Sequence, residues 1–382
     1  MRNENSAKVQ WVLVLGTAFA WFGQHCGAGF CSGVQIVTYF GTSGYRSIVM
    51  TVVPFIVLGI TFYLIGEYAR RINAQSYKDV AGTLYSDSPV GSRIGIALWD
   101  IVVLSNVLIS GGTVMAGGAT LLEETFGMNY FVASVLFALC IVVICMFGAV
   151  GLAKISLPLV SALVVVLCIV AGILVGENQS GLAAVITGRE TFDMPMKTSV
   201  MNTVLYTGLA SNFIGAYMAI APKFNSSKDT KVMAVTGAVL NAFMLSLMSL
   251  ALLSEMPEIS ASKLPILAMI RERFGNFGPL TLIYQVGLFL AYVTTGVGNV
   301  FAATSRFGLL VNRSGKKNQK VVDAALGMLF LAAAVAIAQF GLAALVSKGY
   351  KFLSTLRFPI YVLGTLIFVP IRFRQMKKKA AQ

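Results

Sequence analysis

The single histidine of the chain, His25, stands inside the run Gly23-Gln24-His25-Cys26-Gly27-Ala28-Gly29. Each glycine costs about 1 kcal/mol relative to alanine in a helix interior, and three fall within these seven positions. Histidine and glutamine are expensive at membrane depth unless they line a cavity. The run therefore reads as an unwound stretch between two half-helices. Such a break does chemistry with bare backbone. The half-helix starting near Gly29 offers free N–H groups and a positive dipole end to a carboxylate. The half-helix ending near Cys26 leaves free carbonyls that suit a cation such as sodium. His25 keeps a proton in play as the alternative coupling ion, because an unperturbed imidazole titrates near neutral pH. The bland alternatives are glycines that only let helices pack closely and a histidine that only bonds a neighbouring helix.

A second polar interruption, Tyr206-Thr207-Gly208-Leu209-Ala210-Ser211-Asn212, lies in an otherwise apolar run. Asn106 and Ser105 lie within a third run, and Asp100 is the one acid well inside such a segment. Asp100 reads as a gate or pairing residue, with Arg93 or Lys154 as candidate partners. The candidate substrate-binding set is thus Gln24, His25, Gly27, Ala28, Gly29, Phe30, Asn106, Tyr206, Gly208, Ser211 and Asn212. No acid falls near this set, so zwitterionic, neutral or anionic solutes fit better than a polyamine. An amino acid or related metabolite is the leading expectation.

The elements that must position these residues follow from composition. Hydrophobic residues make up 57% of the chain and charged residues 12%, against about 25% charged in soluble domains. Mean hydropathy is +0.80. The apolar residues gather into blocks of the length, about 20 residues, that crosses a hydrocarbon core as a helix. Ten spans are expected, over residues 11–40, 48–66, 94–121, 130–152, 155–176, 199–222, 232–254, 277–305, 321–340 and 356–371. Residues 341–355 are too short and basic to cross, and read as an interfacial turn or helix. With the N-terminus in the cytoplasm, 20 of the 29 Lys and Arg residues fall on the inner side, the usual cytoplasmic bias. That places both termini inside a plasma or inner membrane. The first span, 30 residues without formal charge, would run about 45 Å as a straight helix, half again the core thickness.

The inventory excludes other classes. One histidine and one mid-span aspartate cannot build a zinc site or a carboxylate pair, and no nucleophile motif or P-loop is present. Enzymatic activity and ATP-driven transport are therefore not expected. The net charge of +14 is carried by connecting segments, so lipid head groups, rather than nucleic acid, are its partners. All five cysteines, Cys26, Cys31, Cys140, Cys145 and Cys168, sit in apolar blocks as small buried residues.

At the first break the residues Gly27-Ala28-Gly29-Phe30-Cys31-Ser32-Gly33 resemble the first-helix signature of the YkvI-like membrane proteins, a branch of the amino acid–polyamine–organocation superfamily. The stretches from Ser110 to Gly127 and from Thr294 to Asn299 are similar too. The resemblance implies a LeuT-type fold, a single all-α transmembrane domain over residues 1–382. It would comprise ten helices in two inverted five-helix repeats, residues 9–176 and 199–374, with helices 1 and 6 broken. It implies an ion-coupled symporter working by alternating access, or a non-transporting receptor on the same fold. Ala28 and Gly29 would offer amides to a carboxylate. Gly23 and Cys26 carbonyls, with the Thr294 and Thr295 hydroxyls, would hold sodium. The family's Gln-Glu after the motif is replaced here by Val34-Gln35. The body of span five carries none of the lysine found in some proton-coupled relatives, which favours sodium over a proton.

Overall fold

Lipid offers no partner for backbone polar groups, so a chain of this composition must satisfy them within helices. The computed structural model describes residues 8–145, 148–192, 194–311 and 318–381, and among them every regular element is helical. The first expected span is three pieces, α1 (Trp11–His25), α2 (Ala28–Ser32) and α3 (Val34–Tyr39). There follow α4 (Val53–Arg71), the short α5 (Tyr77–Leu84), α6 (Pro89–Phe126), α7 (Tyr130–Cys145) and α8 (Gly148–Glu177). The second half holds α9 (Met196–Ala210), α10 (Ile214–Ile220), α11 (Ser227–Leu253), α12 (Pro265–Phe274), α13 (Pro279–Val311) and α14 (Gln319–Ala338). It ends in α15 (Leu342–Lys379).

Among the described residues, eight helical segments are long and apolar enough to cross a membrane, α7 is a shorter apolar helix, and α1 to α3 form the interrupted one. The surface agrees with a lipid solvent. Ile56, Ile60, Ile101, Val143, Val239, Phe243, Ile283, Val286 and Leu329 all point outward and exposed, a density of bare apolar side chains that water does not tolerate. Helix ends carry ordinary caps. Ser88 accepts from Gly91 N at the start of α6, with Pro89 at its first position, and Gly127 at φ +66° ends it. Ser226 caps α11, whose buried Asp229 also accepts from Gln10 N and Asn225 N.

At the centre, α1 packs on α11, α11 on α4, and α6 on α13 and α14. The α2 turn sits against α6 and α13, and α9 lies against α15. One expectation about this layout is corrected. The boundary expected between an interfacial turn or helix over residues 341–355 and a span over 356–371 is absent: Leu342–Lys379 is one 38-residue helix, α15. Its buried face is Tyr350, Leu353, Ser354 and Arg357, spaced three, four and seven apart as one side of a helix requires. Two π-helical turns, Leu345–Gly349 and Phe358–Leu363, bracket that segment. Lys348 and Lys351 make residues 341–355 read as too basic to cross, which hides the period. Arg357 is 2% exposed, within the bundle and not on its outer side.

Candidate functional site

Both expected breaks are present. α1 stops at His25, Cys26 and Gly27 take non-helical backbone angles, and α2 begins at Ala28. The helix then breaks again at Gly33, whose φ of +88° lies in the left-handed region that favours glycine. Nothing in the residue pattern announces this second interruption. It also changes the chemistry expected at Gly29. The half-helix there has only five residues, so its dipole is little more than one turn's. In the second half, α9 ends at Ala210, residues 211–213 form a turn, and α10 starts at Ile214.

The two breaks cross and bond to each other. Asn212 Nδ2 donates to the Gln24 carbonyl at 2.6 Å. Trp21 Nε1 donates to the Ala210 carbonyl at 3.2 Å. The Leu209 carbonyl accepts from Arg357 Nη1 at 2.9 Å, and Arg357 Nη2 bonds Asn106 Oδ1. Carbonyls orphaned where α9 unwinds are thus satisfied by side chains from distant elements.

His25 belongs to a buried relay whose direction is fixed by its ends. Asn241 Nδ2 donates to Gly237 O at 2.8 Å, so its Oδ1 is the acceptor for His25 Nδ1–H at 2.8 Å. His25 Nε2 then accepts from Tyr206 OH at 2.8 Å, and Tyr206 accepts from Gln35 Nε2 at 3.0 Å. Every ring nitrogen is used by a neutral imidazole. Gln35, which stands where the family resemblance calls for glutamate, closes the relay as a donor.

Around the breaks lies a cavity of about 20 Å³, room for about one water. Gln24, His25, Gly27, Asn106 and Asn212 line it, as the residue pattern suggests, with Thr295. Gln35, Ser110, Tyr350, Leu353 and Arg357 line it too, and sequence reasoning misses these. The other expected substrate residues stand one layer back. Gly29 faces Gln35 and Tyr350, and a methyl added to it would lie 3.1 Å from each. Ala28 O accepts from Ser32 Oγ at 2.7 Å, and Phe30 packs on His25 with ring centres 5.0 Å apart. Tyr206 reaches the cavity through His25, and Ser211 Oγ turns back onto Gly208 O at 2.7 Å. Gly208 lets α15 pass: a methyl there would sit 2.5 Å from the Ser354 carbonyl.

The four expected sodium ligands do not share one cavity. Thr295 lines the polar one beside Gly27. Thr294 lines an apolar cavity of about 180 Å³ with Val160, the residue that abuts Gly23. Both threonine hydroxyls donate to Ala291 O, at 3.0 and 2.8 Å, which leaves their lone pairs available. The Cys26 carbonyl accepts only a weak Cys31 Sγ contact at 3.4 Å.

Two aromatic clusters stand in the bundle beyond the residues that line the cavity. Toward the start of α6, Trp99 packs on Tyr361 at 4.3 Å and stacks on Tyr77 at 6.3 Å, and its Nε1 donates to Tyr85 OH. Asp100 belongs to this layer and accepts from Tyr77 OH at 2.5 Å. Of its expected partners, the Lys154 side chain lies outside the described residues. Toward the other side, Tyr206 packs edge-on against Phe40 at 4.8 Å and Tyr39 at 5.3 Å.

Comparison with known proteins places this architecture. No family model matches the sequence. The chain is 25% identical over 289 residues to the uncharacterised membrane protein YkvI of Bacillus subtilis (strain 168), covering 74% of this chain and 78% of that protein. Its structure is similar to that of a Na+-coupled sialic acid symporter in a substrate-bound outward-open state. There the TM-score is 0.63 and the identity 14%, over 93% of this chain and 79% of the other. MhsT in complex with L-phenylalanine gives a TM-score of 0.63 at 16% identity, over 96% and 98%. A manganese transporter of Eremococcus coleocola gives 0.55 at 15%, over 95% and 87%. These likenesses establish the fold, an all-helical membrane architecture of the LeuT type.

Proposed function

We propose that this protein is an ion-coupled secondary transporter of a small organic solute bearing a carboxylate. The observation that carries the reading is the pair of helix breaks, bonded to each other beside a polar cavity. Breaks in the first span of each half are where inverted-repeat carriers hold substrate and ion, and they support repeats over residues 9–176 and 199–374. Alternating access needs a layer on each side of the site that can open while the other stays shut, and the two aromatic clusters are the layers of this proposal. Asp100, held in one layer by Tyr77, is the gating residue of this reading. Gln24, Gly27, Asn106 and Asn212 contact the solute, while Ala28, Gly29, Phe30, Tyr206, Gly208 and Ser211 shape the wall behind them.

Sodium is the coupling ion of this proposal. Its proposed ligands are the Gly23 and Cys26 carbonyls with Thr294 and Thr295, neutral oxygens suited to a hard cation, which line no single cavity in this structure and would converge when the ion binds. The relay around His25 supports sodium over a proton. An added proton on Nε2 would face the Tyr206 O–H, whose own acceptor capacity already serves Gln35.

The test is uptake into proteoliposomes under an imposed sodium gradient or an imposed pH gradient. Saturable accumulation driven by sodium is expected, abolished by Gly29→Leu and made sodium-independent by the pair Thr294→Ala with Thr295→Ala. Binding without accumulation under either gradient would instead make the protein a receptor on a carrier fold.

A further inference from the structure

We propose that Arg357 is the counter-charge for the solute, and that the solute is a small organic anion bound through its carboxylate and carrying no ammonium group. The inference rests on the transport reading only for what happens to the solute after it binds.

Arg357 is buried at the centre of the bundle and lines the polar cavity. Its Nη1 and Nη2 are engaged by Leu209 O and Asn106 Oδ1, but its Nε is buried without a partner. None of the ion pairs among the described residues includes it. The rest of the cavity wall offers only neutral amides, hydroxyls and apolar groups beside His25. A guanidinium held in a dry interior without a carboxylate is costly. A net anion entering the cavity, which must widen from the single-water volume it has here, cancels that charge, and a planar carboxylate matches the guanidinium fork. A zwitterion brings no net charge and leaves the cavity as positive as before.

A second observation separates the anion from the amino acid. An ammonium needs acceptors, and the unwound end of α9 is where they would come from. Its carbonyls already each serve one side-chain donor, Leu209 O from Arg357 itself and Ala210 O from Trp21. The Gln24 carbonyl at the other break is held by Asn212. The guanidinium thus occupies the place an ammonium would need. Open acceptors in the cavity wall include Asn212 Oδ1 and Thr295 Oγ1, which suit a donor such as a hydroxyl. Hydroxy acids are therefore the best match within the class.

The experiment is a thermal-shift titration of the full chain in lipid nanodiscs with four three-carbon probes: lactate, propionate, alanine and lactamide. Saturable stabilisation by lactate and propionate is expected, with lactate the tighter. Lactamide should bind at least about tenfold more weakly because it loses a charge-assisted hydrogen bond, and alanine by a similar factor because its ammonium leaves the buried positive charge uncompensated. Arg357→Met should weaken lactate at least about thirtyfold, and Arg357→Lys should recover part of that loss. Equal binding of alanine or lactamide would overturn the inference. So would unchanged lactate affinity in Arg357→Met, or no saturable shift with either carboxylate. If Arg357→Met does not fold, the charge preference of the parent protein alone decides. Lactate binding that depends on Arg357 without uptake would sink the transport reading and leave this one standing. Sodium-driven uptake of alanine but not lactate would do the reverse.

Discussion

The break between α1 and α2 and the break between α9 and α10 touch each other, yet they are made from different materials. The first is rich in glycine and largely self-contained. Its carbonyls bond within the segment, as Gly27 O does with Cys31 N and His25 O with Gly27 N, or are reached by one neighbour. The second has a single glycine, and that glycine lies before the turn, where α15 crosses. Its orphaned carbonyls are served by Arg357 and Trp21, from the last and first parts of the chain. A helix can therefore be opened in two ways. Either its residues tolerate being unwound, or distant side chains replace the lost bonds. The first kind is written locally. The second depends on tertiary structure.

Mutation can separate the two kinds, and the largest effect should come from Gly208. A methyl at this position meets backbone at 2.5 Å, which cannot be relieved by a rotamer change. Gly208→Ala should cost about 3 kcal/mol, at the upper end of overpacking effects, and lower the thermal midpoint sharply. Retained stability would mean that α15 is free to move away. Next is His25→Leu, which strands the Tyr206 hydroxyl and Asn241 Oδ1. A loss of about 2 kcal/mol is expected from unsatisfied buried groups, measurable by denaturation in detergent. Trp21→Phe removes the donor to Ala210 O and part of a buried ring stacked on Phe62, and should cost about 1.5 kcal/mol. Gly27→Ala should be nearly silent, within about 0.5 kcal/mol. Gly27 has negative φ, and an added methyl meets nothing closer than Thr295 Cγ2 at 4.0 Å. A large effect at Gly27 would show that the first break also depends on its surroundings.

The same division explains what can be read from sequence. The first break is legible because glycines and polar residues interrupt an apolar run within a few positions of one another. The second is legible in outline, from Tyr206 to Asn212, but the purpose of Gly208 is not, because it serves a partner, Ser354, far along the chain. Arg357 goes unnoticed in a sequence reading because it stands at the edge of an expected span, next to a segment with two lysines. Its burial follows from the face it shares with Tyr350, Leu353 and Ser354, a period that spans the boundary assigned between loop and helix. Gln35 stands out in the sequence only as a missing acid. Its bond to Tyr206 depends on a neighbour 171 residues away, which no local pattern reports.

The fixed positive charge in so small a cavity has one more consequence. Where a pathway narrows to the width of a single water, a lone arginine raises the electrostatic barrier to hydronium and metal ions, as it does in water-selective pores. An idle molecule would then be tight against cation leak even during moments when thermal motion loosens one aromatic layer. The membrane potential would be protected by the same side chain that waits for cargo.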